Sequence, residues 1–192
     1  MKEIKIPIKL VDQNKATLKL DQDNKESNEI DKNWARKSCA ICSLKMVLSL
    51  YNKNTKDIPV MTLVNEGLSI DGFIEGIGWK HGAIIKLARN HGIKMYRMFC
   101  RKPSYRKNGL NVLNFNLINE SPIMASIYYN LDKSKGGHVI VVNGCKIDSK
   151  NRIIGYYITD PDGINKKGNK YYLTRDEFNN NWRGGLLYFK KP

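Results

Sequence analysis

Residues 38–51 constrain the fold of this chain more than any other stretch of its sequence. Wound into a helix, they place apolar side chains over almost the whole surface and leave a narrow polar stripe at Lys45 and Ser49. Ser38 is a residue type that favours the N-cap position. A helix with so little polar surface needs burial on most sides, so Ser38 to Tyr51 is predicted to be the central helix of the fold.

The pattern of apolar residues changes from helical to strand-like along the chain. Two more helices are predicted, at Asp57 to Gly67 and at Trp79 to His91, and Asp21 to Lys32 is predicted to be a polar loop. The predicted strands are Glu3 to Leu10, Thr17 to Leu20, Ile93 to Phe99, Ile123 to Tyr129, His138 to Asn143, Ile153 to Thr159, Tyr171 to Leu173 and Leu186 to Phe189. A helical first half followed by a strand-rich second half is typical of an α+β fold.

The length of 192 residues predicts a single domain, 1–192, since no linker or internal repeat interrupts it. Pro7 confines the first strand to a sheet edge. Residues 1–15 are therefore either a strand of the domain or an arm, and the sequence does not separate the two.

The chain is strongly basic, with 33 Lys and Arg against 18 Asp and Glu and a net charge of +15. Such a charge attracts nucleic acids, anionic membranes or acidic substrates. The cations are scattered rather than gathered on one stripe, which also fits a chain that is rich in Lys and Asn throughout. The charge therefore favours an acidic partner only weakly, and nucleic acid is kept as an alternative.

The sequence predicts a soluble, cytoplasmic protein with no membrane partner. Its longest apolar runs, such as residues 139–142, are far shorter than the roughly 20 residues of a membrane span. The N-terminus alternates charge with Ile and lacks the apolar core of a signal peptide. The four cysteines are then expected to be reduced thiols.

Cys39 directly follows the expected cap of the central helix. Unsatisfied backbone N–H groups and the helix dipole at that end favour a thiolate, which is the form a nucleophilic cysteine needs. The alternative is that Cys39 is a small buried hydrophobic residue in an apolar helix.

A thiolate nucleophile works with an imidazole, and His138 opens an apolar strand after two glycines. The turn-forming stretch 146–152 separates this strand from the next, which ends at Asp160. The midpoint between His138 and Asp160 is Ser149, inside that turn. A simple hairpin would place Asp160 across from His138, and a bulge would shift the pairing by a residue or two.

The remaining candidates are weaker. His81 and His91 are expected to have surface or capping roles. Cys39 and Cys42 have the spacing of half a metal site, but no second pair completes it, so neither a metal nor a cofactor is expected. Cys42, Cys100 and Cys145 are expected to be structural.

The central helix also resembles that of a known family. Residues 38–48 read Ser-Cys-Ala-Ile-Cys-Ser-Leu-Lys-Met-Val-Leu. They resemble the nucleophile helix of the C39 and C39-like cysteine peptidases, which typically reads Cys-Gly-x-x-Ser-Leu-x-Met-Val-Leu. Four later stretches agree in order: 78–92, 121–127 with 137–144, 158–162, and Phe178 with Trp182. The resemblance begins near residue 16 and extends to the C-terminus.

The resemblance implies a papain-like fold, in which the nucleophile helix packs on an antiparallel sheet, and a set of catalytic roles. Cys39 would be the nucleophile, His138 the general base and acid, and Asp160 the group that orients the imidazole. The family also uses a Gln to stabilise the oxyanion, usually a few residues before the Cys. Gln22 is the residue favoured for this role, with the residues after it as an inserted loop, and Asn33 is the alternative. Ala40 departs from the family, which commonly has Gly there.

These observations predict a cysteine peptidase that cleaves a peptide or protein substrate through a thioester acyl-enzyme. The same thiolate would also support acyl transfer or deamidation. The competing class is a non-enzymatic papain-like module that binds a partner through its basic surface. No transporter segment accompanies the domain, so a double-glycine leader is not carried over as the substrate.

Overall fold

The computed structural model of the protein describes residues 1–21, 23, 25–163 and 167–189. The helices are α1 (Gln13–Ala16), α2 (Lys32–Ala35), α3 (Cys39–Tyr51), α4 (Val60–Leu68), α5 (His81–Asn90), α6 (Pro103–Ile118) and α7 (Arg175–Asn181). The strands are β1 (Lys2–Lys5), β2 (Leu18–Leu20), β3 (Glu26–Ile30), β4 (Phe73–Ile74), β5 (Gly78–Trp79), β6 (Met95–Phe99), β7 (Ile123–Tyr128), β8 (Gly137–Ile147), β9 (Ile153–Thr159), β10 (Lys170–Thr174) and β11 (Trp182–Phe189).

Seven of the described strands form one antiparallel sheet in the order β10-β9-β8-β7-β11-β6, and β1 also pairs with β8. The long strand β8 organises this sheet. Its first half pairs with β7 and its second half with β1, while β9 runs along its other side. The pairs β2–β3 and β4–β5 form two small separate hairpins.

The sheet carries a hydrophobic core on each face. Along β8, Val139 and Val141 pack into a core with α3, α4 and α5, whereas Ile140 and Val142 belong to a second core with α6 and α7. This division follows from the alternation of side chains along a strand. Helix α3 is buried at most of its positions, as the apolar pattern predicted for a central helix.

Within the N-terminal segment, residues 2–5 form strand β1 of this sheet. Strand β1 pairs with β8 only, and Ile6 continues the contact by donating its N–H to the carbonyl of Asn143 at 2.7 Å. Ile6 is buried in the core with α6 and α7, and Ile8 is buried in the core with α3, α4 and α5, on the other face of the sheet. Pro7 lies beyond the last paired residue, which agrees with its predicted position at an edge.

The structure differs from the sequence predictions at several elements. The stretch 103–118 is a helix of 16 residues that the sequence did not predict, because its four Asn and Gly109 obscure the apolar pattern. The expected loop from Asp21 to Lys32 contains strand β3, whose polar side chains give no apolar alternation. The four-residue helices α1 and α2 and the seven-residue α7 were also missed, since such short elements carry little periodic signal. No helix within the described ranges is long and apolar enough to cross a bilayer.

Candidate active site

Cys39 is the first residue of α3, where the sequence analysis placed it. Ser38 occupies the N-cap position, but its side chain makes no capping hydrogen bond. Its hydroxyl instead lies 3.7 Å from the Cys42 thiol inside the core. The backbone N–H groups of the first turn are therefore not covered by a side-chain cap, and they remain able to act on an anion at Cys39.

His138 lies near the start of β8 and contacts both Cys39 and Asp160. Its Nε2 is 2.6 Å from Oδ1 of Asp160, and the ring also hydrogen-bonds the Cys39 side chain. Both members of the His–Asp pair are buried, with 4% and 2% of their side chains exposed. Helix α3 and strand β8 are joined beside the site, because the Ser43 hydroxyl donates to the carbonyl of Val139 at 3.0 Å. The structure thus brings Cys39, His138 and Asp160 together.

The electrostatic surroundings favour a protonated imidazole at His138. Burial by itself lowers the pKa of this side chain, but the hydrogen bonds to Asp160 and Cys39 and their charges outweigh burial and raise the pKa to about 10. An imidazolium can donate a proton to a group that develops negative charge beside it.

Asp160 is held by three donors. Besides His138, the backbone N–H of Asp162 donates to Oδ1 at 2.8 Å, and the Tyr171 hydroxyl donates to Oδ2 at 2.9 Å. A buried carboxylate is costly unless such partners satisfy it. These contacts fix the carboxylate and, through it, the orientation of the His138 ring.

The pairing of the β8–β9 hairpin differs by two residues from the simple expectation. Val141 is opposite Thr159, so Asp160 comes opposite Ile140 rather than His138. The turn lies at Asp148–Arg152 as predicted, with the Asp148 N–H donating to the Arg152 carbonyl. His138 and Asp160 are therefore diagonal neighbours, still within side-chain reach.

Neither residue expected to stabilise the oxyanion is seen beside Cys39 in the described part of the chain. Gln22 lies outside the described residues, and Asn33 is an exposed residue of α2. Gln13, which is not among the sequence-predicted site residues, is 3% exposed at the start of α1, and its backbone N–H donates to the carbonyl of Pro161 at 2.8 Å. The next residue, Asn14, donates to the Asp162 carboxylate at 3.0 Å.

Gln13 was missed because 25 residues separate it from Cys39 in the sequence. The hairpin of β2 and β3 occupies much of that interval and removes the short spacing on which the expectation relied. The Asp12 side chain caps α1 by accepting from the N–H of Asn14 at 2.9 Å. An Asp at the N-cap position, directly before Gln13, is the local sequence signal that could have predicted the start of a helix there.

The other histidines and cysteines have separate environments. His81 contacts the Ser126 hydroxyl, and His91 ends α5 and pairs with Glu66 at 2.9 Å. Cys42, Cys100 and Cys145 are buried, and burial raises the pKa of Cys42 to about 12. No group of three candidate metal ligands occurs among the residues that the structure describes.

Solved structures similar to this chain include peptidases and peptidase domains. A C39-like peptidase from Bacillus anthracis is 15% identical with a TM-score of 0.61, and the match covers 100% of this chain and 99% of that one. A double-glycine motif protease from an AMS/PCAT transporter, solved with its leader peptide, is 22% identical with a TM-score of 0.53 over 98% and 94% of the two chains. The peptidase domain of Streptococcus ComA, a bi-functional ABC transporter, is 15% identical with a TM-score of 0.57 over 85% and 96%.

These likenesses confirm the α+β, papain-like fold with its nucleophile helix packed on an antiparallel sheet. No curated protein sequence matches the chain. The model of the family described as "Peptidase_C39 like family", in contrast, matches residues 6–184, which is most of the length. The chain therefore belongs to the C39-like family of peptidases.

Proposed function

We propose that this protein is a cysteine peptidase in which Cys39 is the nucleophile, His138 the general base and acid, and Asp160 the group that orients the imidazole. One observation carries the proposal. The buried imidazole of His138 contacts both the Asp160 carboxylate, with 2.6 Å between Nε2 and Oδ1, and Cys39, which begins the central helix at an end without a side-chain cap.

The reaction proceeds through a thioester. Sγ of Cys39 attacks the carbonyl carbon of the scissile peptide bond while His138 holds the thiol proton. The C–N bond then breaks, and His138 gives that proton to the leaving amine. A water molecule next attacks the thioester carbonyl with His138 accepting its proton, which releases a carboxylic acid and regenerates Cys39. Transfer of the acyl group to an amine instead of water would make the protein an acyltransferase, and the mass of the product distinguishes the two.

We assign the oxyanion-stabilising role to Gln13 together with the Cys39 backbone N–H. Gln13 is buried, and its backbone N–H ties it to the segment that carries Asp160. Its side-chain NH2 group is the kind of donor that stabilises an oxyanion.

Reactivity of Cys39 tests the proposal before any substrate is known. Alkylation by iodoacetamide, with mass-spectrometric assignment of the site, is measured against pH in the wild type and in His138→Ala. We expect fast labelling of Cys39 that persists to about pH 5–6 and is lost in the variant. The buried Cys42 is an internal control that stays slow. Labelling that rises only near the ordinary thiol pKa of about 8.5, in both proteins, contradicts the proposal.

Cleavage of a mixed peptide library then tests the oxyanion assignment. Gln13→Ala is expected to lower kcat by about 10²–10³ with little change in KM, because an oxyanion donor acts mainly in the transition state. It should leave the alkylation of Cys39 unchanged. Gln22→Ala is the matched control, and a larger loss of kcat in Gln22→Ala than in Gln13→Ala would return the role to Gln22.

We also propose a peptide or protein as the substrate and a reducing compartment such as the cytoplasm as the place of action. All four cysteines are unpaired, and a thiolate nucleophile needs reducing conditions to stay active.

A further inference from the structure

A second concave site lies between the start of α5 and strand β6. This basic pocket has a volume of about 470 Å³, and it is lined by charged and aromatic residues that include Asp71, Lys80, His81, Lys86, Arg97 and Phe99. The catalytic scheme above uses none of these side chains.

The charge of the basic pocket is not balanced by the protein. Lys80, Lys86 and Arg97 line it, with Asp71 as the acidic residue of its wall, and Arg101 lies beside it over the ring of Phe99. None of these four cations forms an ion pair with a carboxylate in the part of the chain that the structure describes. A pocket with an excess of cations attracts anionic groups.

The guanidinium groups are positioned by an aromatic support. Arg97 and Arg101 lie 5.4 and 5.6 Å from the centroid of the Phe99 ring, and the His81 ring stacks on Phe99 at 5.2 Å. Stacked guanidinium groups lose less side-chain freedom when they bind a ligand than free ones do.

His81 adds a polar atom without a partner. Its Nε2 is 3.2 Å from the Ser126 hydroxyl, while its Nδ1 is buried and has no hydrogen-bond partner among the described residues. Burial and, after it, the positive charges of Arg97 and Arg101 lower the pKa of this imidazole.

The basic pocket lies close to the candidate active site. The indole N–H of Trp79, directly before Lys80, donates to the carbonyl of Lys37 at 2.8 Å, two residues before Cys39. On the other side, Ser126 is paired with Val139, the neighbour of His138. These contacts join the walls of the pocket to the segments that carry Cys39 and His138, and we expect an extended peptide bound at Cys39 to reach the pocket.

We propose that the basic pocket binds a carboxylate side chain, Asp or Glu, of the peptide substrate, and that it makes the enzyme selective for acidic peptides. The inference rests on the proposed function, since it identifies the occupant as a substrate. Arg97 can bind a carboxylate through two parallel hydrogen bonds, and Lys80 and Lys86 add charge. The volume leaves room for the acidic side chain and a neighbouring one.

Binding is measured on Cys39→Ala, which lacks the nucleophile, so the result does not depend on peptidase activity. The probes are a capped hexapeptide of alternating Gly and Glu and the matched peptide with Gln in place of each Glu, titrated calorimetrically at low salt. We expect the Glu peptide to bind at least about tenfold more tightly than the Gln peptide. Two separate variants, Arg97→Glu and Lys86→Glu, should each weaken binding of the Glu peptide by about tenfold.

Lys107→Glu is the control for a general effect of charge, because Lys107 is an exposed residue of α6 on the opposite face of the sheet. It should leave binding within about twofold of the parent. Equal binding of the two peptides, or an equal loss in Lys107→Glu and Arg97→Glu, overturns the proposal. Binding of inorganic phosphate or ADP without binding of the Glu peptide overturns it as well.

The peptidase proposal and the pocket proposal can be contradicted independently of each other. If Cys39 alkylation shows no dependence on His138 but the Glu peptide binds through Arg97, the peptidase proposal fails and the pocket is an acidic-peptide site without cleavage. If Cys39 is activated and the Glu peptide does not bind, only the pocket assignment fails.

Discussion

At the scale of single residues, the site depends on how a buried charge is satisfied. Asp160 accepts from an imidazole, a backbone N–H and a phenol, and each of these donors is itself buried or half-buried. The phenol of Tyr171 is affected in return, since burial and the Asp160 charge raise its pKa far above the ordinary value. Tyr171 is thus a positioning residue for the Asp160 carboxylate.

Asp160→Asn tests the role of this charge. The amide keeps the shape of the side chain but removes the negative charge that helps to keep His138 protonated, so Cys39 alkylation near pH 6 should fall by about tenfold or more. Tyr171→Phe removes one hydrogen bond and no charge, and its effect should be smaller, about threefold to tenfold. An Asp160→Asn protein with the wild-type pH profile would show that Asp160 is only structural.

The raised pKa of His138 also predicts how stability changes with pH. Because the folded value lies above the value of 6.5 for the free side chain, the protonated ring stabilises the fold fully below about pH 6.5, and this contribution is lost as pH rises through about 10. The difference in urea unfolding midpoint between wild type and His138→Ala should therefore be larger at pH 6 than at pH 10. A difference that grows with pH would reverse the assigned sign.

At the scale of elements, the N-terminal strand is part of the machinery that positions the site. Strand β1 pairs with β8, the strand that carries His138, and the chain then passes through Ile8 into α1 with Gln13. Ile8 is 7% exposed and packs in the same core as α3. This short segment thus connects the sheet, the nucleophile helix and the proposed oxyanion residue.

Ile8→Ala is expected to lower the free energy of unfolding by about 2–4 kcal/mol, because it deletes buried methylene and methyl groups from a packed core. Ile77→Ala is the matched control, since the same substitution there removes a side chain that is 80% exposed. It should change the free energy of unfolding by less than about 0.5 kcal/mol. Equal losses in urea denaturation would mean that β1 and its extension do not contribute to the core.

At the scale of the whole molecule, the two cores share one sheet, and we propose that residues 1–192 act as one domain. Each core contains its own tryptophans: Trp34 and Trp79 pack against the α3 core, and Trp182 is buried in the α6 core. The central strands contribute to both cores, so separate unfolding of one face would expose the other.

Tryptophan fluorescence can follow each core separately. The variant Trp182→Phe keeps tryptophans only at the α3 core, and the double variant Trp34→Phe/Trp79→Phe keeps one only in the α6 core. In both variants the urea midpoint from fluorescence should coincide with the midpoint from far-UV circular dichroism, because a two-state unit unfolds at once. Two separated midpoints in either variant would divide the chain into two units.

Particular elements show how far the sequence predicts this structure. The apolar surface of α3 and the alternation in β7, β8 and β9 predicted the central helix and the middle of the sheet. Helix α6 was missed because its buried face is interrupted by Asn116 and Gly109, and only contact with Cys100 and Trp182 explains a glycine there. The local sequence pattern predicts an element where one face is uniformly apolar, and it fails where contacts with other elements decide which residue types are accepted.

The sequence by itself determined the nucleophile helix, the turn at Asp148–Arg152 and, within two residues, the proximity of His138 and Asp160, because these depend on local periodicity and hairpin geometry. The tertiary structure alone decided that Gln13 approaches the Asp160 segment and that Lys80, Lys86 and Arg97 meet at one pocket. Gln13 and Asp160 are far apart in the chain, and burial of the shared cores brings their segments together. Lys80, Lys86 and Arg97 belong to the consecutive elements α5 and β6, and the packing of this helix beside this strand decides that their side chains meet.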